Sequence, residues 1–169
     1  MNLNNIYTFD NFKVNENNKL AFVTCKAIAE YPGNMYNPLY LYGKDENDRG
    51  HLLYSIKNFI EENTKLKILY VTTDTFIKDY EEIKDFRKKY TDINILIIDD
   101  IQNLEKSEDL EQEFFNIFNE LYANDKQIVI GSNCSPDNLN LSQRLSIRFN
   151  WGISVGIDSN EEIETNINI

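Results

Sequence analysis

Glycine and proline are scarce in this 169-residue chain, with six and three copies, and histidine occurs once. No low-complexity linker and no internal repeat is visible, so the chain reads as one domain long enough to bury a substantial core. The two cysteines, Cys25 and Cys134, lie far apart. They have neither the C-x-x-C spacing of a metal or redox site nor the density of a disulfide scaffold, and are expected as buried thiols in a reducing compartment with no metal site. Basic residues are also short: 17 Lys and Arg against 28 Asp and Glu give a formal net charge of −11. That deficit argues against a general affinity for nucleic acid, which comes mostly from neutralising phosphates. No apolar run approaches the roughly 18 residues that span a bilayer, and the N-terminus lacks a basic-then-apolar signal. A cytoplasmic protein without membrane contact is expected.

What the chain does contain is alternation. Residues 6–18 (IYTFDNFKVNENN) are polar with three aromatics, Tyr7, Phe9 and Phe12, and read as an arm laid over the domain. Apolar residues from Leu20 to Ala29 recur at helical spacing until Tyr31-Pro32-Gly33. Strand runs at 39–42, 67–72, 93–100, 127–131 and 151–157 alternate with amphipathic runs from His51, at 75–90, at 110–122 and at 141–149. Five strands alternating with helices predict an α/β fold with a parallel sheet covered on both faces.

The chain is organised around residues 36–56. A strand runs into Gly43, then a polar loop, then the helix from His51. A phosphate-binding loop in that setting reads G-x-x-x-x-G-K-[ST], with glycine amides around the phosphates, a lysine on the β/γ-phosphates and a hydroxyl on Mg²⁺. Counted from Gly43, the second glycine is Asp48, the lysine is Arg49 and the hydroxyl is Gly50. Asp45, Glu46 and Asp48 would face a polyanion, and two like charges about 4 Å apart cost roughly 4 kcal/mol near a protein surface. The loop is read as degenerate, with no nucleotide or metal cofactor; if any binds, it is ATP or ADP with Mg²⁺. In an empty loop Arg49 is expected to pair with Asp99, Asp100 or a loop carboxylate.

Asp99 and Asp100 close the most hydrophobic strand, where a nucleotide hydrolase holds its magnesium-bound water and attacking water. Ser132 and Asn133 follow the next strand, at the position of a γ-phosphate sensor; turn chemistry accounts for them equally well. Lys84, Arg87, Lys88 and Lys89 form the one basic cluster, with a solvated helix face as the plain alternative. Phe114, Phe115 and Phe118 read as core, and His51 as a helix N-terminal residue without an identifiable partner. Arg144 and Arg148, four apart, share a helix face, where the plain expectation is surface salt bridges.

Taken together, YTFDNF (7–12), YNPLYLYG (36–43), HLLYSI (51–56), ILIIDDIQ (95–102), EFFNIFNELY (113–122), KQIVIGS (126–132) and RLSIRFNWGISV (144–155) resemble the AAA+ core of the DnaA family of replication initiators. The resemblance implies a three-layer αβα P-loop NTPase core with a five-stranded parallel sheet. It places Asp99 and Asp100 as the acidic pair, Ser132 and Asn133 near the sensor and Arg148 as an arginine finger. Its expected organisation is a single core over 1–169, with an arm at 1–17, the core at 18–157 and the start of a truncated lid at 158–169. The family's lid and DNA-box-binding domain are expected to be missing, and its single-stranded DNA element to be shortened to 75–90. The functional expectation is an ATPase-inactive DnaA-like protein that regulates replication initiation by contact with DnaA or another replication protein. The alternatives are a DnaA-type ATPase with an unusual phosphate loop, a single-stranded DNA-binding module acting through Lys84 to Lys89, and a decaying paralogue.

Overall fold

A computed structural model describes residues 6–33 and 35–157. Five strands, β1 (Leu39–Tyr42), β2 (Ile68–Thr72), β3 (Ile95–Asp99), β4 (Gln127–Ser132) and β5 (Ile153–Gly156), form one sheet in the order β2-β3-β4-β1-β5. Every pairing is parallel. β1, β3 and β4 lie inside the sheet and are almost entirely buried. This is why their sequences are continuous apolar runs rather than alternations.

Successive side chains serve opposite layers. Leu39, Leu41, Ile95, Ile97 and Val129 pack under helices α1 (Lys19–Glu30) and α2 (Glu46–Asn63), with Phe9 and Phe12 of the arm. Tyr40, Leu96, Ile98, Ile128 and Ile130 face the other layer, made by α3 (Thr73–Glu82), α4 (Phe86–Thr91), α5 (Glu108–Ala123) and α6 (Gln143–Phe149). The result is the expected three-layer α/β architecture. No helix among the described residues is long and apolar enough to cross a membrane. The expected start of a lid at 158–169 lies outside the described residues.

Three elements differ from the sequence expectation. α2 begins at Glu46, five residues before His51, because Asp45 caps it: its carboxylate accepts from the Asn47 N–H at 2.8 Å, and Glu46 and Asp48 occupy the first turn. Carboxylates there complement the helix dipole. Residues 75–90 form two helices, with Ile83 in extended backbone between them. A straight helix would turn Phe86 about 80° away from Phe76. The break instead brings both Phe86 and Tyr90 to ring-centroid distances of 5.1 Å from Phe76. A 3₁₀ segment, Ile101–Lys106, follows β3 and buries Ile101 and Leu104.

The arm is held by polar anchors as well as aromatics. Asn58 Nδ2 donates to the Tyr7 carbonyl at 2.8 Å. His51 Nε2 lies 2.8 Å from the Thr8 carbonyl and 2.9 Å from Asn11 Oδ1. Asn11 Nδ2 donates to the Ile6 carbonyl, which leaves Oδ1 facing the ring, so His51 carries its proton on Nε2. The partners that His51 lacked in the sequence are thus in the arm, with the Tyr7 and Phe12 rings each 5.0 Å away. His51→Ala is expected to destabilise the protein by about 1–2 kcal/mol, the scale of a lost part-buried hydrogen-bonding group. Cleavage within residues 6–17 should also accelerate in limited proteolysis.

Candidate functional site

β1 and β3 flank β4 in the sheet, and at the carboxyl ends of the three strands stand Gly43, Asp99, Asp100 and Ser132. Arg49 enters from the first turn of α2. Its side chain is 1% exposed. Nε donates to Asp99 Oδ1 at 2.9 Å, Nη2 to Asp100 Oδ1 at 2.9 Å and Nη1 to the Gly43 carbonyl at 2.5 Å. One planar guanidinium therefore joins the end of β1, the end of β3 and α2, using the fork geometry that distinguishes arginine from lysine.

The acids are positioned by their own backbone. Asp100 sits in the left-handed region (φ 59°, ψ 43°), and its N–H donates to Asp99 Oδ1 at 2.9 Å. Thr73 Oγ1 donates to the Asp99 carbonyl at 3.0 Å. The Asp99 carboxylate leans over β4, where a Cβ at position 131 would collide with Oδ1, so Gly131 makes room for it. Burial pushes the Asp99 carboxyl up from the ordinary carboxylate range; Arg49 and the Asp100 N–H pull it back, while the Asp100 charge adds to the rise. Asp100 Oδ1 also accepts from Gln102 Nε2 at 3.3 Å.

Gln102 extends the network. Its Oε1 accepts from Ser132 Oγ at 3.4 Å and from the Asn133 N–H at 3.2 Å. Ser132 is buried at the end of β4 and Asn133 is exposed beyond it, so only the serine side chain joins the strand-end cluster. Gln102 had not been singled out in the sequence; its place two residues past the acidic pair was the available signal. A cavity of about 250 Å³ lies beside Arg49, lined among others by Tyr7, Glu46, Gly50 and Tyr54. Asp48 and Gly50, expected in a loop, are helical residues of α2, and a Cβ at Gly50 would meet nothing within 4 Å.

The other predicted residues lie elsewhere. Lys84 falls between α3 and α4, and Arg87, Lys88 and Lys89 lie on α4. Arg87 pairs with Glu113 at 2.9 Å and Lys89 with Asp79 at 2.6 Å, so half of the basic cluster is spent on carboxylates. Arg144 and Arg148 on α6 form no salt bridge among the described residues, which corrects the plain expectation for them. Their guanidinium carbons stand 4.1 and 4.2 Å from the Phe115 ring centroid, and Arg148 also lies 4.8 Å from that of Trp151. Arg148 Nε donates to Asn119 Oδ1 at 2.7 Å, and Arg144 bonds Gln112. Phe114 and Phe118 are core, as expected, whereas Phe115 is a half-buried platform under the two arginines. Cys25 is fully buried, but Cys134 only partly.

The sequence profile of the bacterial DnaA ATPase domain matches residues 3–156. The chain belongs to this family. It is 43% identical over 176 aligned positions to the chromosomal replication initiator protein DnaA of Thermoanaerobacter sp. (strain X514), covering 99% of this chain and 39% of that protein. The chain thus spans about two-fifths of the length of the curated relative. A structure of domain III of the Thermotoga maritima replication initiation protein DnaA superimposes with a TM-score of 0.85 at 36% identity, over 95% of this chain and 71% of that one. A replication initiator DnaA bound to AMPPCP and single-stranded DNA superimposes with a TM-score of 0.87 at 33% identity, over 100% of this chain and 57% of that one. Within this DnaA-type fold, Arg49 and its two acids form the most heavily bonded polar cluster at the strand ends.

The burial of that cluster makes its response to pH predictable. Arg49→Met removes the opposing charge and leaves Asp99 governed by burial and by Asp100, so its folded pKa rises further above the unfolded value of about 3.9. A raised acid contributes stability below its unfolded pKa and loses it as pH climbs. The variant should fall short of wild type by about 3–5 kcal/mol at pH 7, the usual cost of breaking a buried pair. The gap should narrow towards pH 4, as read by urea denaturation at both pH values.

Proposed function

We propose that this chain is a DnaA-type AAA+ core that does not turn over ATP and regulates replication initiation by contact with DnaA or another replication protein. One observation carries the reading: the Arg49 guanidinium is bonded to Asp99, Asp100 and the Gly43 carbonyl in the buried strand-end cluster. The residues present do not fit a triphosphate with its magnesium ion. Asp99 and Asp100 each give an oxygen to Arg49, and the α2 terminus, whose amides would otherwise meet an anion, is capped by the Asp45 carboxylate. Between the end of β1 and the start of α2 only residues 43–45 remain, too few for a loop that wraps phosphates.

A purified sample should show no nucleotide-dependent rise in melting temperature with Mg-ATP or Mg-ADP. A site holding ligand at 100 times its Kd would gain about 2.7 kcal/mol, roughly 5–10 °C for a domain of this size. A shift of that order would refute the inactive-core reading.

The contact surface in this proposal is the face carrying Arg144 and Arg148. Their nearest partners are aromatic rings and amides, so both keep full charge, and cation–π stacking on Phe115 holds them in place. In the family resemblance Arg148 is the finger that reaches a neighbour's ATP. A chain that presents this finger without a working site of its own would cap a DnaA oligomer. Arg148→Ala is expected to weaken binding to ATP-loaded DnaA at least tenfold in a surface-immobilised binding assay, the scale of an interfacial arginine contact. Equal binding by both forms removes the capping role.

A further inference from the structure

The outward face of α1 has no partner among the described residues. Ala21, Cys25, Ile28 and Ala29 form its buried side against α2 and the sheet. Leu20, Val23 and Tyr31 stand 64, 53 and 58% exposed, and half-buried Ala27 lies between them. Positions 20, 23 and 27 follow the i, i+3, i+7 spacing of a single helical stripe, and Tyr31 follows directly as the C-cap residue at its end. Lys19 and Glu30 flank the stripe on one side, within about 20° of each other around the helix, and both are exposed.

This arrangement is complementary to itself. When two such helices lie antiparallel around a two-fold axis near Cys25, Leu20 stands opposite Tyr31, Val23 opposite Ala27, and Lys19 opposite Glu30. Antiparallel packing brings like flanks together, so the two Lys19–Glu30 pairs form on the same side that carries them. An interface that repeats its contacts through a two-fold axis is isologous and closes at a dimer. A parallel arrangement would set the Lys19–Glu30 flanks of the two copies on opposite sides of the seam, where these pairs could not form.

We infer that two copies of this chain associate through α1, packed antiparallel, with Leu20, Val23, Ala27 and Tyr31 as the seam and Lys19–Glu30 pairs beside it. A 12-residue helix is only about 18 Å long, so the buried area falls below that of a standard interface and the dimer is weak.

Sedimentation of the full chain from about micromolar to about millimolar concentration reads the association directly. Wild type should shift from monomer to dimer across that range. Val23→Asp should remain monomeric throughout, with an unchanged melting temperature because residue 23 is exposed. Lys19→Glu and Glu30→Lys should each weaken self-association roughly tenfold, since by symmetry one substitution alters two pairs. An equimolar mixture of these two variants should recover the wild-type affinity as a heterodimer, and the double variant should recover it as a homodimer. A wild-type monomer at every concentration would overturn the inference. So would a dimer that survives Val23→Asp, or single variants whose mixture associates no more tightly than either alone.

Discussion

The structure turns on a buried charge that cannot be left alone. Arg49 lies at the junction of β1, β3 and α2 with its side chain 1% exposed, and an isolated guanidinium there would carry a desolvation penalty of several kcal/mol. Asp99 and Asp100 face the converse problem: two adjacent carboxylates at a strand end repel each other, and Asp99 is buried. Each side offsets the cost of the other. The fork reaches both acids and a backbone carbonyl at once, a set of contacts that a lysine ammonium could not match in one plane. Several nearby features follow from this arrangement, including the left-handed backbone at Asp100 and the glycine at 131 that clears space for the Asp99 carboxylate.

The same constraint explains where α2 begins. For Arg49 to reach the strand ends it must project from the first turn of a helix that already runs from Glu46, and Asp45 starts that helix by capping it. The acids that look hostile to a phosphate in the sequence are therefore a cap and first-turn residues that stabilise the helix. The arginines of α6 are handled in the opposite way. α5 carries acids at 108, 109, 111, 113 and 120, yet the positions facing Arg144 and Arg148 are Gln112, Phe115 and Asn119. One arginine is neutralised in the interior, and two stand within 4.2 Å of an aromatic ring centroid with their charge intact.

Much of this was legible in the sequence. The five strand runs alternating with amphipathic runs predicted a parallel sheet covered on both faces, because such strands are apolar throughout, and the motifs from YTFDNF to RLSIRFNWGISV carried the family. The pairing of Arg49 with the strand-end acids could be anticipated from charge alone. Local pattern could not supply the rest. The early start of α2 depended on whether Asp45 would turn its carboxylate onto Asn47, and the break at Ile83 depended on Phe86 finding Phe76. His51 looked unpartnered because its partners, Thr8 and Asn11, lie some 40 residues away. The sequence by itself determined the layers, the strand order's raw material and the charges present, since these depend on composition and short-range period. Only the tertiary structure decided which charges meet, because that depends on where the sheet brings distant strand ends together.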